Sequence, residues 1–193
     1  MANWASTTYA VEGPKETLQK IEEAILNHPI AEGSDENWEG NILKALDVDW
    51  EAITPNGKGL YMRGFIEKDS VTYDDNGALR FWAEEAWEAT DFNKALESKF
   101  KDIKVYYSTE EPDGDVFATN DKEGKYFPDR FYADTCINDD YQMEYFTKET
   151  SMYEWLSKIT DGKIKTKEDV DEFNGDVENI DDFINIHEFV VVE

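Results

Sequence analysis

The chain has 193 residues, 40% apolar and 14% aromatic, with a net charge of −26 from 19 Lys and Arg against 45 Asp and Glu. The aromatic content excludes a disordered chain, since Phe, Tyr and Trp supply the buried area that offsets ordering entropy, and the length suits one core. The charge excludes nucleic acid and anionic membrane surfaces as partners, because both are bound through Lys and Arg, and favours a basic protein surface.

Residues 3–12 predict a first strand, with alternating positions rich in Thr and aromatic residues. Gly13-Pro14 ends it, and Pro14 suits the first turn of a helix whose apolar stripe is Leu18, Ile21, Ala24 and Ile25. His28 falls at the end of that helix and Pro29 is the expected stop. After the polar run Gly33 to Asn37, a short helix over Ile42, Leu43 and Leu46 is expected, and Pro55 to Gly59 reads as a turn. Residues 30–59 therefore look like an insertion.

Residues 60–67 predict the next strand, continued by Val71 to Tyr73, and Asn76-Gly77 predicts a hairpin into a strand over Ala78 to Ala86. Leu79, Phe81 and Ala83 mark one face of that strand, and Arg80, Trp82 and Glu84 the other. Thr90 or Asp91 is the expected cap of a helix carrying Phe92, Ala95, Leu96 and Phe100. A strand over residues 103–107 follows, then the turn Pro112-Asp113-Gly114 and a return strand over 115–119. Further on, strands are expected at 126–133, 141–148 and 184–192. Ser151 is the expected cap of one helix, and Thr166 with Asp169 forms the capping box of another. The order strand, helix, strand, strand, helix, strand is that of a ferredoxin-like split βαβ arrangement. The expected fold class is α+β. The expected organisation is a single domain over residues 1–193, with a ferredoxin-like core over 1–120 and a C-terminal extension over 121–193 packed on it.

Motifs for chemistry are sparse. Gly57-Lys58-Gly59 lacks the spacing and hydroxyl residue of a phosphate-binding loop. Cys136 is the single cysteine and reads as a buried structural thiol; it excludes an internal disulfide and cannot hold an iron–sulfur cluster. His28 reads as satisfying a helix-terminal carbonyl, and His187 as an ordinary strand histidine. Calcium-loop alignments on Gly77 and Gly114 place Thr72 and Thr109 where the loop needs Asp, and both fail. Local density alone singles out Asp47, Asp49, Asp113 and Asp115 as candidate metal-binding carboxylates; no catalytic residue and no cofactor is expected. Trp82, Trp87, Phe92, Phe100, Tyr106 and Tyr107 read as core and sheet-face aromatics, and the acids of the same strands, Glu84, Glu85, Glu110 and Glu111, as surface.

The opening MANW, the segment FWAEEAW and the stretch KFKDIKVYYSTEEPDGDVFA resemble the YubB-like family of phage, plasmid and gut-bacterial proteins over residues 1–12 and 78–120. Ala5 stands where members often have Cys, and Trp87-Glu88-Ala89-Thr90 replaces a proline-containing turn. The resemblance implies a ferredoxin-like domain and a mobile-element background, with no catalytic signature to carry over.

The function expected is that of a non-enzymatic acidic binding or accessory protein that meets a basic protein surface. A DNA-mimic inhibitor of a DNA-binding protein is the first alternative, and a divalent-cation-dependent hydrolase using carboxylates the second. A cytoplasmic location is expected from MANWASTTYAVEG, which lacks a basic n-region and apolar h-region, and from the absence of an apolar run near the roughly 20 residues of a membrane span. The terminal run IHEFVVV is an edge through which two copies could pair into a homodimer.

Overall fold

The computed structural model describes residues 3–28, 37–175 and 182–192. Pro29, the polar residues 33–36 and Asp181 lie outside the described residues. The described residues form a mixed α+β structure with five α-helices and nine strands. No helix among them is long and apolar enough to cross a membrane. The chain divides into two compact units, Met1–Asp121 and Lys122–Val192.

In the first unit, β1 (Trp4–Glu12) leads through Gly13-Pro14 into α1 (Lys15–Asn27), and α2 (Glu39–Ala45) follows. β2 (Gly64–Tyr73) and β3 (Leu79–Ala86) form a hairpin, α3 (Phe92–Lys99) crosses back, and β4 (Lys104–Glu111) and β5 (Val116–Thr119) complete the unit. The strands lie in the order β2-β3-β1-β4-β5, antiparallel at every junction. The β2–β3 hairpin closes on Gly77 at φ 80°, a left-handed conformation that glycine adopts without a Cβ clash. The Asp74 carboxylate accepts from the Asn76 and Ala78 N–H groups inside that turn.

Strand alternation decides what is buried. Tyr9 and Val11 of β1, Leu79, Phe81 and Ala83 of β3 and Val105 of β4 share one face. The stripes Leu18, Ile21 and Ile25 of α1, Ile42 and Leu43 of α2, and Phe92, Ala95 and Leu96 of α3 cover it. Each fully buried Leu, Ile or Phe here stabilises the fold by about 1.5–3 kcal/mol. The Tyr9 ring sits among Phe81, Phe92 and Tyr107, with centroids at 5.1, 5.8 and 6.1 Å.

Three expectations are corrected, the first by this alternation. Glu85 and Glu111 are buried, because they fall in phase with Ala83 and with Thr109 on the helix-covered face. Trp87, expected with the core aromatics, is 49% exposed and takes φ 75° where β3 ends. Cys136 is only half-buried.

In the second unit, β6 (Phe131–Ile137), β7 (Asp140–Phe146) and β8 (Phe183–Glu188) form an antiparallel sheet in the order β7-β6-β8. Asn138 and Asp139, at φ 52° and 63°, make the two-residue β6–β7 turn, a conformation those residue types tolerate. The expected strand at 126–133 thus starts later, at Phe131. The expected strand at 184–192 breaks at Phe189, before the two-residue β9 (Val190–Val191). α4 (Glu149–Ile159) and α5 (Lys167–Asn174) bring Met152, Leu156 and Val170 against Ala133, Phe146 and Ile184. Ser151 lies inside α4, which begins two residues earlier, so it is not the cap. Thr166 caps α5 as expected: its hydroxyl accepts from the Asp169 N–H at 3.2 Å, and the Asp169 carboxylate accepts from the Thr166 N–H at 2.9 Å. Replacing Thr166 by Ala should lower stability by about 1 kcal/mol, read as a lower urea midpoint in circular dichroism; an unchanged midpoint would show that this cap adds nothing.

Candidate functional site

Two carboxyl groups meet in the interior of the first unit. Asn37 and Trp38 reach the edge of β2, where the Ile66 N–H donates to the Asn37 carbonyl at 2.9 Å and Trp38 bridges to Phe65. The chain then turns into α2, whose first residue, Glu39, lies on the same stripe as Ile42 and Leu43 and faces the sheet. Glu85 arrives from β3. Both glutamates are fully buried, as is Tyr9.

The space between them exists because β2 carries Gly64 at that point. A Cβ there would sit 2.7 Å from Glu39 Cδ and from Glu85 Cγ, closer than packed atoms allow. Thr90, buried just before α3, places its hydroxyl 2.9 Å from both Glu39 Oε2 and Glu85 Oε1. The Tyr9 hydroxyl donates to Glu85 Oε1 at 2.6 Å.

Counting donors and acceptors favours one proton on the pair. Four carboxyl oxygens face two hydroxyl groups, and each hydroxyl has one proton to give. Glu39 Oε1 and Glu85 Oε2 are buried and receive a hydrogen bond from neither hydroxyl. If both carboxyls were ionised, two negative charges would sit in the interior with two oxygens unpaired. Each buried ion would cost several kcal/mol. One added proton removes a charge and gives one of the two unpaired oxygens a donor. Burial first, and then the neighbouring Glu85, hold the Glu39 carboxyl well above the usual glutamate value of 4.5. Burial and the Glu85 and Glu39 carboxyls likewise raise the Tyr9 hydroxyl well above the ordinary tyrosine range. Tyr107 is pushed up to about 12 by burial, with Glu85, Glu88 and Asp91 adding to it.

The aspartates singled out by density lie elsewhere. Asp47 follows α2 at φ 55°, and Asp49 precedes the short turn Trp50–Ala52. Asp113 lies in the turn Pro112–Gly114, and Asp115 leaves that turn at φ 54°. All four are exposed. Among the described residues, no three His, Cys, Asp or Glu side chains converge as a group that could hold a metal ion. His28 pairs its Nδ1 with the Ala24 carbonyl at 2.9 Å, which is the helix-terminal role expected of it. His187 lies in β8, stacked on Tyr132 at 5.9 Å and 3.8 Å from the Asp134 carboxylate.

Glu39 and Glu85 were not among the expected site residues. The signal for each is phase: Glu85 continues the series Leu79, Phe81, Ala83 by one further step, and Glu39 opens the helical series continued by Ile42, Leu43 and Leu46.

Comparisons of the chain with family models, with curated proteins and with solved structures find no match.

The pair has a defined pH signature. A carboxyl raised in the folded state keeps its proton while the unfolded chain has lost it, so the native state binds more protons above about pH 4.5. Its contribution is fully present below that pH and is lost as pH rises toward the folded-state value. In Glu39→Gln the amide N–H replaces the shared proton permanently. Urea unfolding between about pH 5 and pH 8 should then show the variant gaining on the wild type by up to about 1.4 kcal/mol per pH unit. Parallel pH profiles of the two proteins would mean that Glu39 carries no extra proton.

Proposed function

We propose that the chain is a non-enzymatic acidic binding protein that meets a basic protein surface. The observation that carries this reading is the charge of −26 on a chain whose interior already holds its converging carboxyls. Glu39 and Glu85 have no solvent-exposed surface, so no substrate or hydrated cation reaches them. The acids left in water give a field that draws cationic surfaces and speeds their encounter.

The finer assignment of the first unit is a ferredoxin-like split βαβ domain. It is supported by the strand order β2-β3-β1-β4, with α1 leading from β1 toward β2 and α3 from β3 to β4. Membership of the YubB-like family belongs to the same reading and rests on the segments around Trp4, Trp82 and Tyr106. A reducing, cytoplasmic setting suits a single half-buried cysteine.

The test is capture from a native lysate on the immobilised full chain, followed by titration of each purified partner. Binding should weaken steeply between about 0.1 M and about 1 M salt, as the screening length falls from about 10 Å to about 3 Å. Absence of any basic, salt-sensitive partner would contradict the reading.

A further inference from the structure

Three exposed aromatic residues of the first unit converge on one backbone position, Ala86. Trp4 is its register partner on β1. The Tyr61 hydroxyl donates to the Ala86 carbonyl at 2.9 Å. Trp87 follows Ala86 in the chain, and its N–H donates to the Asn3 carbonyl at 2.9 Å. Their exposures are 44%, 37% and 49%, which is unusual for rings of this size at one end of a sheet. Phe65 tilts against Trp4 at a centroid distance of 5.8 Å. The exposed carboxylates of Glu84 and Glu88 flank the group in sequence.

The backbone at Trp87 is strained. A φ of 75° brings the Cβ of a bulky residue against its own carbonyl, and such residues rarely adopt it. A conformation of this kind persists only where the surroundings over-determine it, and it is found preferentially at functional positions. Here the surroundings are the buried pair. Glu85, two residues before Trp87, and Thr90, three residues after it, are bonded to each other at 2.9 Å inside the unit. Asp91 clamps the far side, exchanging hydrogen bonds with the Tyr61 backbone, each at 2.8 Å. The segment between these anchors is short, and Trp87 stands on its outer side.

We propose that Trp4, Tyr61 and Trp87, with Glu84 and Glu88, form the patch that receives an arginine-bearing segment of a basic protein partner. This rests on the acidic-binding reading above and names its contact surface. An exposed indole face attracts a guanidinium through its quadrupole, and Trp is the best ring for this. Arg is favoured over Lys because its planar group stacks on the ring while its N–H fork engages a carboxylate in two hydrogen bonds. The charge of the chain excludes an anionic occupant and opposes a second copy of itself.

The experiment is a fluorescence titration of the full chain with an Arg-Gly repeat peptide, beside Lys-Gly and Glu-Gly peptides of equal length. The expected order is Arg-Gly tightest, Lys-Gly weaker and Glu-Gly unbound. Trp87→Ala and Trp4→Ala should each weaken Arg-Gly binding by about tenfold or more. Trp87→Gly separates recognition from folding. It should keep a higher urea midpoint than Trp87→Ala, since glycine accepts the left-handed backbone, yet lose binding to the same extent. Salt-sensitive binding that all three variants leave unchanged would overturn the patch and leave the basic-surface reading standing. No binding of either basic peptide by the wild-type chain at low salt would overturn both.

Discussion

The first unit encloses a pair of carboxyls whose burial opposes their both being ionised. Glu39 and Glu85 are both fully buried, and burial with the neighbouring Glu85 holds the Glu39 carboxyl well above its usual value, which favours a proton on the pair. Loss of that proton changes the interaction from attraction to the repulsion of two desolvated charges, in a medium where Coulomb terms are several times larger than in water. The contacts around the pair belong to elements far apart in sequence. Tyr9 comes from β1, Gly64 from β2, Glu85 from β3, Thr90 from the approach to α3, and Glu39 from α2. A polar network of this type fixes a unique arrangement when each member is satisfied, and a proton on Glu39 Oε1 or Glu85 Oε2 supplies the donor this one lacks.

That dependence links interior to surface. The residues that hold the pair also end β3 and begin α3, so the intervening segment has little freedom. Trp87 is held in a left-handed conformation that an unconstrained chain would abandon. The interior thus positions an exposed ring, with the exposed Glu84 and Glu88 beside it in sequence. The proposed binding role draws on both, since charge speeds encounter and a desolvated aromatic anchor slows departure. The converging carboxyls of Glu39 and Glu85 are thus kept from solvent, while Glu84 and Glu88 beside them in sequence are exposed.

Much of the fold was legible in the residues. Gly13-Pro14, Asn76-Gly77 and Pro112-Asp113-Gly114 mark chain reversals through fixed backbone preferences, and Thr166 with Asp169 marks a helix start through two reciprocal hydrogen bonds. The site was hidden for a different reason. Phase places Glu85 with Leu79, Phe81 and Ala83, but residue type argues for the surface, and type prevails when no partner is visible. The partner, Glu39, is 46 positions away and joins it only through the packing of α2 on the sheet. Trp87 shows the converse, because an aromatic type suggested burial while the backbone conformation that exposes it leaves no trace in periodicity. Asp47 and Asp115 attracted attention by local density, and their positive φ angles show a turn role that aspartate fills well.

The shared proton can be observed directly. Infrared difference spectroscopy at neutral pH, comparing the wild-type chain with Glu39→Gln, resolves the carbonyl stretch of a protonated side-chain carboxyl from the bands of ionised ones. The wild type should show one such protonated band at pH 7, shifted on transfer to heavy water and missing from Glu39→Gln. A wild-type spectrum with every carboxyl ionised at that pH would contradict the shared proton and, with it, the arrangement proposed for the segment that carries Trp87.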